Sequence, residues 1–373
     1  MKKYFTLLLL LVVFIANAQK SILIVGTYTT GKSQGIYTYQ FDNTTGNIKI
    51  LDSIKSNNPS FIAVAPNRKN VYAVNEDGNN NGVGGSVTAY KLDFQTGKLI
   101  LINTELSGGD HPCYLAVDKT GKWLSVGNYN GGNIGIMPIN NTDGSIGKAV
   151  MTQHTGSSVN ITRQTKAHVH CTYFSANNKF LYVPDLGMDK IMIYKFNETN
   201  GELMPTTQAF AQSDTGAGPR HITFSKNEKY AYLMEELTAT VNVFSQKNGA
   251  LTSIQKIKAT PASYTGKQGS ADIHVSPDGK FLYCSNRGES NTITIFKIEK
   301  KTGLLTYVNN TSSLGITPRN FTIDATGNFL LVANQKSDNV VVFKIDKKTG
   351  LITDTGNRID VGNPVCLKMV GMN

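Results

Sequence analysis

A chain of 373 residues exceeds the usual size of a single hydrophobic core, so it holds either several domains or one domain built from repeats. Its 40% hydrophobic and 17% charged residues fit a globular protein, and its 16 Tyr and 16 Phe suit a strand-rich one. The formal charge of +11 is spread as lysine on loops, with no dense basic run or interleaved aromatic stripe; this argues against nucleic-acid binding and leaves attraction of a small anionic substrate open.

In chain order, residues 1–18 read as a signal peptide. Lys2 and Lys3 form a basic start, Leu7 to Ile15 an apolar core, and Ala16-Asn17-Ala18 a small-residue cleavage site. The apolar run is short for a membrane span and no cysteine sits at the cleavage site, so no stable membrane anchor is expected. The expectation is export to the periplasm or the extracellular space, with a mature chain starting near Gln19.

Residues 19–373 read as a single domain made of one repeated unit. A short apolar strand recurs as Ile22–Val25, Val71–Val74, Trp123–Val126, Phe180–Val183, Tyr230–Leu233, Phe281–Cys284 and Phe329–Val332. The spacing is about 50 residues, a propeller-blade length. Before each strand comes another, as in Ile222–Phe224, joined to it by a turn such as Ser276-Pro-Asp-Gly279 or Asp324-Ala-Thr-Gly327. After it comes an alternating strand, as in Val340–Ile345, and then a Thr-Gly turn with a weaker edge strand, as in Lys301–Tyr307. The fold class is therefore all-β: a seven-bladed β-propeller with four antiparallel strands per blade. The first unit lacks its opening strand, and Asn363–Val370 resembles only an opening strand, so the C-terminus is expected to complete the first blade and close the ring.

Two motif matches near the start are rejected on context. Gly26 to Ser33 fits the P-loop pattern, and Gly31-Lys-Ser33-Gln-Gly35 fits the nucleophile-elbow pattern. Both need a helix to follow. Here Ile36 to Phe41 alternates as a strand instead.

Blade geometry sorts the polar residues. Residues that open a blade's first strand and residues just past its second strand share one face of the ring. Ten residues before the second strand stand His170, Arg220 and Arg319 in three blades, with Cys113, Ala271 and Phe61 in others. Three residues past the second strand stand Glu236 and Arg287; one position earlier in their blades stand Asp185, Glu76, Asn128, Asn286 and Asn334. His170, Arg220, Glu236 and Arg287 should therefore converge at one mouth of the channel, with Arg319, His168 and His221 beside them. Arginines focused on one mouth with only Glu236 near call for an anion. Asp185, His274 and the asparagines are expected to cap turns and tie blades. His168-x-His170 lacks a third ligand of diagnostic spacing, so no metal and no cofactor are expected. Cys113, Cys171, Cys284 and Cys366 lie in apolar runs and read as buried free thiols.

At Gly26-Thr-Tyr-Thr29, Val71 to Glu76, Ala167-His-Val-His170, Val183 to Gly187, Gly218-Pro-Arg-His221, Glu235-Glu-Leu237, His274 to Gly279 and Ser285-Asn-Arg-Gly288, the chain resembles the 6-phosphogluconolactonase family of seven-bladed propellers. That family also includes a fungal muconate-lactonising enzyme. The resemblance implies a lactonase whose active site holds His170 (or His168), Arg220, Glu236 and Arg287. From their places beside that set in the blades, His168, His221 and Arg319 are expected to bind substrate. One departure is Glu235, where the family commonly has Asn; it would add a second acid near the site. The apparent export departs from a cytosolic sugar-phosphate enzyme.

The expected function is hydrolysis of a sugar-acid lactone by a monomer. His170 or Glu236 would act as base, and Arg220 and Arg287 would hold the anion and the oxyanion. The alternatives are a muconate-type lactonising isomerase and an exported non-catalytic propeller that binds a partner or a glycan.

Overall fold

A computed structural model describes residues 20–78 and 84–372; the expected signal peptide lies outside the described residues. The described residues form seven four-stranded antiparallel sheets. The fifth blade is representative, with strands Pro219–Phe224, Tyr230–Glu235, Thr240–Lys247 and Ala250–Lys258 in spatial order. First strands of successive blades contact one another, so they ring the axis while the fourth strands face outward.

One sheet is assembled from both ends of the chain, in the order Pro364–Gly371, Lys20–Thr27, Gly35–Asp42, Ile48–Lys55. The C-terminal strand pairs with the first through Ile22↔Val370, Ile24↔Lys368 and Val25↔Leu367. It covers an edge whose residues Ile22 to Val25 are fully buried. The P-loop-like segment is the connection between the antiparallel strands Lys20–Thr27 and Gly35–Asp42, with the Thr27 and Ser33 hydroxyls hydrogen-bonded to each other.

The first two strands of six blades are joined by the same tight turn. The fourth turn residue donates its N–H to the first residue's carbonyl at 2.8–3.0 Å, as in Arg68 to Ala65, Gly121 to Asp118, Glu228 to Ser225 and Gly327 to Asp324. That fourth residue is left-handed in every case. Gly121, Gly279 and Gly327 adopt this at no steric cost, whereas Arg68, Asn178 and Glu228 hold φ of 60°, 61° and 52°.

The core lies between blades and is stapled by a recurrent tyrosine in the second strand. Tyr72, Tyr232 and Tyr283 are fully buried, and each hydroxyl donates to a turn carbonyl of the next blade: Gly144 at 3.1 Å, Gly303 at 3.1 Å and Gly350 at 2.9 Å. The alternating strand pattern thus supplies both the apolar body and the polar tip of each staple. The four cysteines are free and buried among such contacts.

Candidate active site

Two rings of side chains line one mouth of the channel. The lower ring comes from the start of each first strand or the entry just before it: Phe61, Cys113, His170, Arg220, Ala271, Arg319 and Val365. The upper ring is the residue that follows each second strand: Tyr28, Glu76, Tyr129, Leu186, Glu236, Arg287 and Gln335. A backbone bond of 2.7–3.1 Å links the rings within each blade. The upper residue's N–H donates to the carbonyl two positions before the lower residue, as from Glu236 to Gly218 and from Arg287 to Gly269. The second blade differs, since Glu76 donates to Asn58, three positions before Phe61. One extra residue is therefore accommodated there.

Glu236 is the centre. Its Oε2 accepts from Arg220 Nε at 2.9 Å and lies 3.0 Å from Arg287 Nη2, and its Oε1 accepts from Arg163 Nη2 at 2.7 Å. His170 Nε2 lies 4.0 Å from Oε2. Burial alone would raise the Glu236 carboxyl's proton affinity, but Arg287, Arg220 and Arg163 together hold it far below the usual carboxylate range. Three guanidinium groups on one carboxylate leave two positive charges unbalanced. The strain appears on Arg287, whose proton affinity is pulled down to about 10 by burial and by its arginine neighbours, against the pull of Glu236. Such an arrangement can receive an anion.

Two buried histidines at the mouth have their proton affinity pulled down. Burial first, then Arg220, His221 and Arg319, keep His170 well below the ordinary histidine value. His221 is pushed down to about 3 by burial and Arg220, against its bond to Asp272. That bond runs from His221 Nδ1 to Asp272 Oδ1 at 2.8 Å, while Arg220 Nη1 stands 3.1 Å from His221 Nε2 and donates to the Ala271 carbonyl at 2.7 Å. The Asp272–His221 pair thus fixes Arg220 from behind. Asp272 also accepts from His274 Nε2 at 2.9 Å and from the Asn320 side chain, which ties the sixth blade to the seventh.

The four expected catalytic residues, His170, Arg220, Glu236 and Arg287, meet at one point. The other three are beside it in different roles. His168 stacks on Tyr129 and its Nδ1 bonds the Tyr129 carbonyl at 2.9 Å. Arg319 does not reach Glu236; it donates to the Tyr28 hydroxyl at 2.9 Å, and that hydroxyl donates to Glu76 at 2.8 Å. Glu236 is therefore not the only acid at the mouth. Glu76 occupies the same slot as Glu236, because the second strand of its blade spans Asn70–Asn75 and starts one residue earlier than its apolar run.

Glu235 is a correction. It does not add a second acid to the site: its carboxylate accepts from Asn242 at 3.3 Å and Thr238 at 3.5 Å within its own blade. Adjacent strand residues face opposite ways, so Glu235 falls in the slot of Asn128, Asn286 and Asn334. Those asparagines clip neighbouring blades, as when Asn286 donates to the Ala259 carbonyl at 2.8 Å.

Arg163 and Tyr129 were not anticipated. Arg163 sits on the long segment between the strands Val150–Gln153 and Tyr173–Phe174, and it also donates to the Tyr129 hydroxyl at 3.1 Å. Asp185 and Asp189 hold that segment in place. Asp185 accepts from the His168 N–H at 2.8 Å, and Asp189 from Ser158, from Gln164 and from the N–H groups of Gly216 and Gly218. Tyr129 could have been found from its slot; Arg163, on an unrepeated loop, carries no periodic signal.

Fold and site together define a seven-bladed propeller with an arginine-clamped carboxylate at one mouth of its channel. Residues 22–369 match the family described as lactonase, 7-bladed beta-propeller, and the chain belongs to that family of lactone-hydrolysing enzymes. It is 39% identical over 322 residues to a 6-phosphogluconolactonase of Formosa agariphila, covering 84% of this chain and 89% of the relative. It is 35% identical to the 6-phosphogluconolactonase of Bacillus subtilis, covering 93% and 97%. Among solved structures, the periplasmic gluconolactonase of Pseudomonas aeruginosa superposes with a TM-score of 0.90 at 35% identity, covering 95% of this chain and 100% of that one. Among the described residues, no helix is long and apolar enough to cross a membrane.

Proposed function

We propose that the protein opens a δ-lactone of a sugar acid at the Glu236 mouth, with His170 as general base. The supporting observation is the triple arginine clamp on Glu236. A carboxylate so stabilised is a weak base, and its task is to hold three guanidinium groups toward the mouth. His170 is neutral in the free protein and can accept a proton from water. An anionic substrate adds negative charge at the mouth, which raises the proton affinity of His170 when the base is needed.

Water adds its oxygen to the lactone carbonyl carbon and gives its proton to His170. The carbonyl oxygen becomes an oxyanion facing Arg220 or Arg287, where a single donor is worth roughly 10²–10³-fold in rate. The ring C–O bond then breaks, and the leaving oxygen takes the proton back from His170. The product is the open hydroxy acid.

The substrate is a 6-phosphogluconolactone or its unphosphorylated counterpart. Arg163 favours the former, because its side chain is 39% exposed and able to meet a phosphate. The signal-like residues 1–18 and the periplasmic gluconolactonase relative favour the latter, in an exported monomer. Acid release from each lactone tests this. Turnover of either supports the reading, and the ratio of the two kcat/KM values chooses between them. No acceleration over spontaneous hydrolysis on both would refute it.

A further inference from the structure

Below Glu236 the channel narrows to a small cavity lined by Ser60, Phe61, Cys113, Arg220, His221, Arg319, Asn320 and Val365. It has room for about one water-sized body. Five of these residues belong to the lower ring. Ser60 belongs to neither ring. It is on the wall because the entry to the second blade carries one residue more than the other blades, and its N–H turns back onto the Asn58 carbonyl at 2.7 Å.

Three observations at this cavity have no explanation in the lactone site. The Ser60 residue is 3% exposed, and its hydroxyl has no hydrogen-bond partner among the described residues. A buried orphan hydroxyl costs about 1–3 kcal/mol unless something fills the space beside it. Two arginines share the wall with it. Arg319 uses one of its five N–H donors, on Tyr28, among the described residues. Among the described residues, no carboxylate lines the cavity. Glu236 is engaged by Arg220 Nε, and Glu76 is separated from Arg319 by the Tyr28 hydroxyl.

We propose that this cavity is a binding site for a single small inorganic anion of halide size, held between Arg220 and Arg319 with Ser60 donating its hydroxyl. The cavity is too small for a phosphate or a sugar carboxylate, which separates this site from the substrate's own anionic group. A water molecule would satisfy Ser60 but bring no negative charge to the two guanidinium groups on the wall. The bound anion would act as a fixed counter-ion that keeps Arg220 aimed at Glu236, and halide binding would stabilise the fold by an amount that grows with the logarithm of its concentration above Kd.

Crystals of the full chain grown or soaked in sodium bromide test the site directly. The expected result is an anomalous bromide peak between Ser60, Arg220 and Arg319. In solution, Tm should rise with bromide or chloride more than with sodium acetate at the same ionic strength. Ser60→Ala should raise the half-saturating bromide by about tenfold, the value of a charge-assisted hydrogen bond. A well-ordered water with no anomalous signal, or a Tm that follows ionic strength alone, overturns the proposal. Both readouts are independent of lactonase activity.

Discussion

Glu236 gathers more positive charge than it can neutralise, and the three arginines on it are unequal. Arg220 is 1% exposed and braced by Ala271 and His221, whereas the Arg163 side chain is 39% exposed. Arg163 can leave Glu236 for a ligand at lower cost. Replacing it with Ala should raise KM for a phosphorylated lactone by about tenfold or more, with a smaller change for the neutral lactone. Equal losses on both lactones would assign Arg163 to holding Glu236 instead. The buried histidines make a second prediction. The folded proton affinity of His221, about 3, lies below its unfolded value near 6.5, so its stabilising contribution is present above pH ~6.5 and is lost as pH falls toward 3. Glu236 and Asp272, held low, act in the same direction at more acid pH. The unfolding free energy should therefore fall between pH 7 and 4, by up to ~1.4 kcal/mol per pH unit for each such histidine, read from urea denaturation, and His221→Asn should flatten the decline. At this scale the repeat made His170, Arg220, Glu236 and Arg287 legible, because equivalent slots face one axis. It could also have given Tyr28, Glu76 and Tyr129, had the slots been counted from the polar residue that ends each second strand. Arg163 was not legible, since no repeat fixes where a loop residue points.

The blades hold together through bonds that the strand pattern implies but does not name. Tyr232 reads as one more apolar strand residue; its hydroxyl on the Gly303 carbonyl of the next blade is a tertiary fact. Tyr232→Phe should cost about 0.5–1.5 kcal/mol, read as a lower urea midpoint with an unchanged m-value. Gly303→Ala should cost more, because Gly303 holds φ of 71° and an added Cβ would stand 2.2 Å from the Tyr230 ring. An unchanged midpoint in Gly303→Ala would mean that this turn can move away from the fifth blade. Strand existence followed from alternation and turn chemistry, while the ends did not. The first strand of the fourth blade is only Tyr173–Phe174, because the residues before it, including His168 and His170, are drawn into the entry loop by Asp185.

The whole ring depends on a closure that both ends of the sequence announced, an opening strand missing at the start and supplied at the finish. Removal of residues 364–373 would leave the apolar strand Lys20–Thr27 as an open edge, and the truncated protein should fail to accumulate in soluble form. Soluble, cooperatively folding material would show that three strands suffice for the first blade. Closure matters to function because the site draws on several blades, so no blade holds it alone. The account therefore rests on whether the converged side chains open a lactone, and the most direct measurement is acid release by the wild-type protein and by Arg220→Ala, with folding checked by thermal melting. The wild type should hydrolyse at least one of the two sugar lactones, and folded Arg220→Ala should lose roughly 10²–10³-fold in kcat/KM. Full activity in Arg220→Ala, or a folded wild type inert toward both lactones, would contradict it.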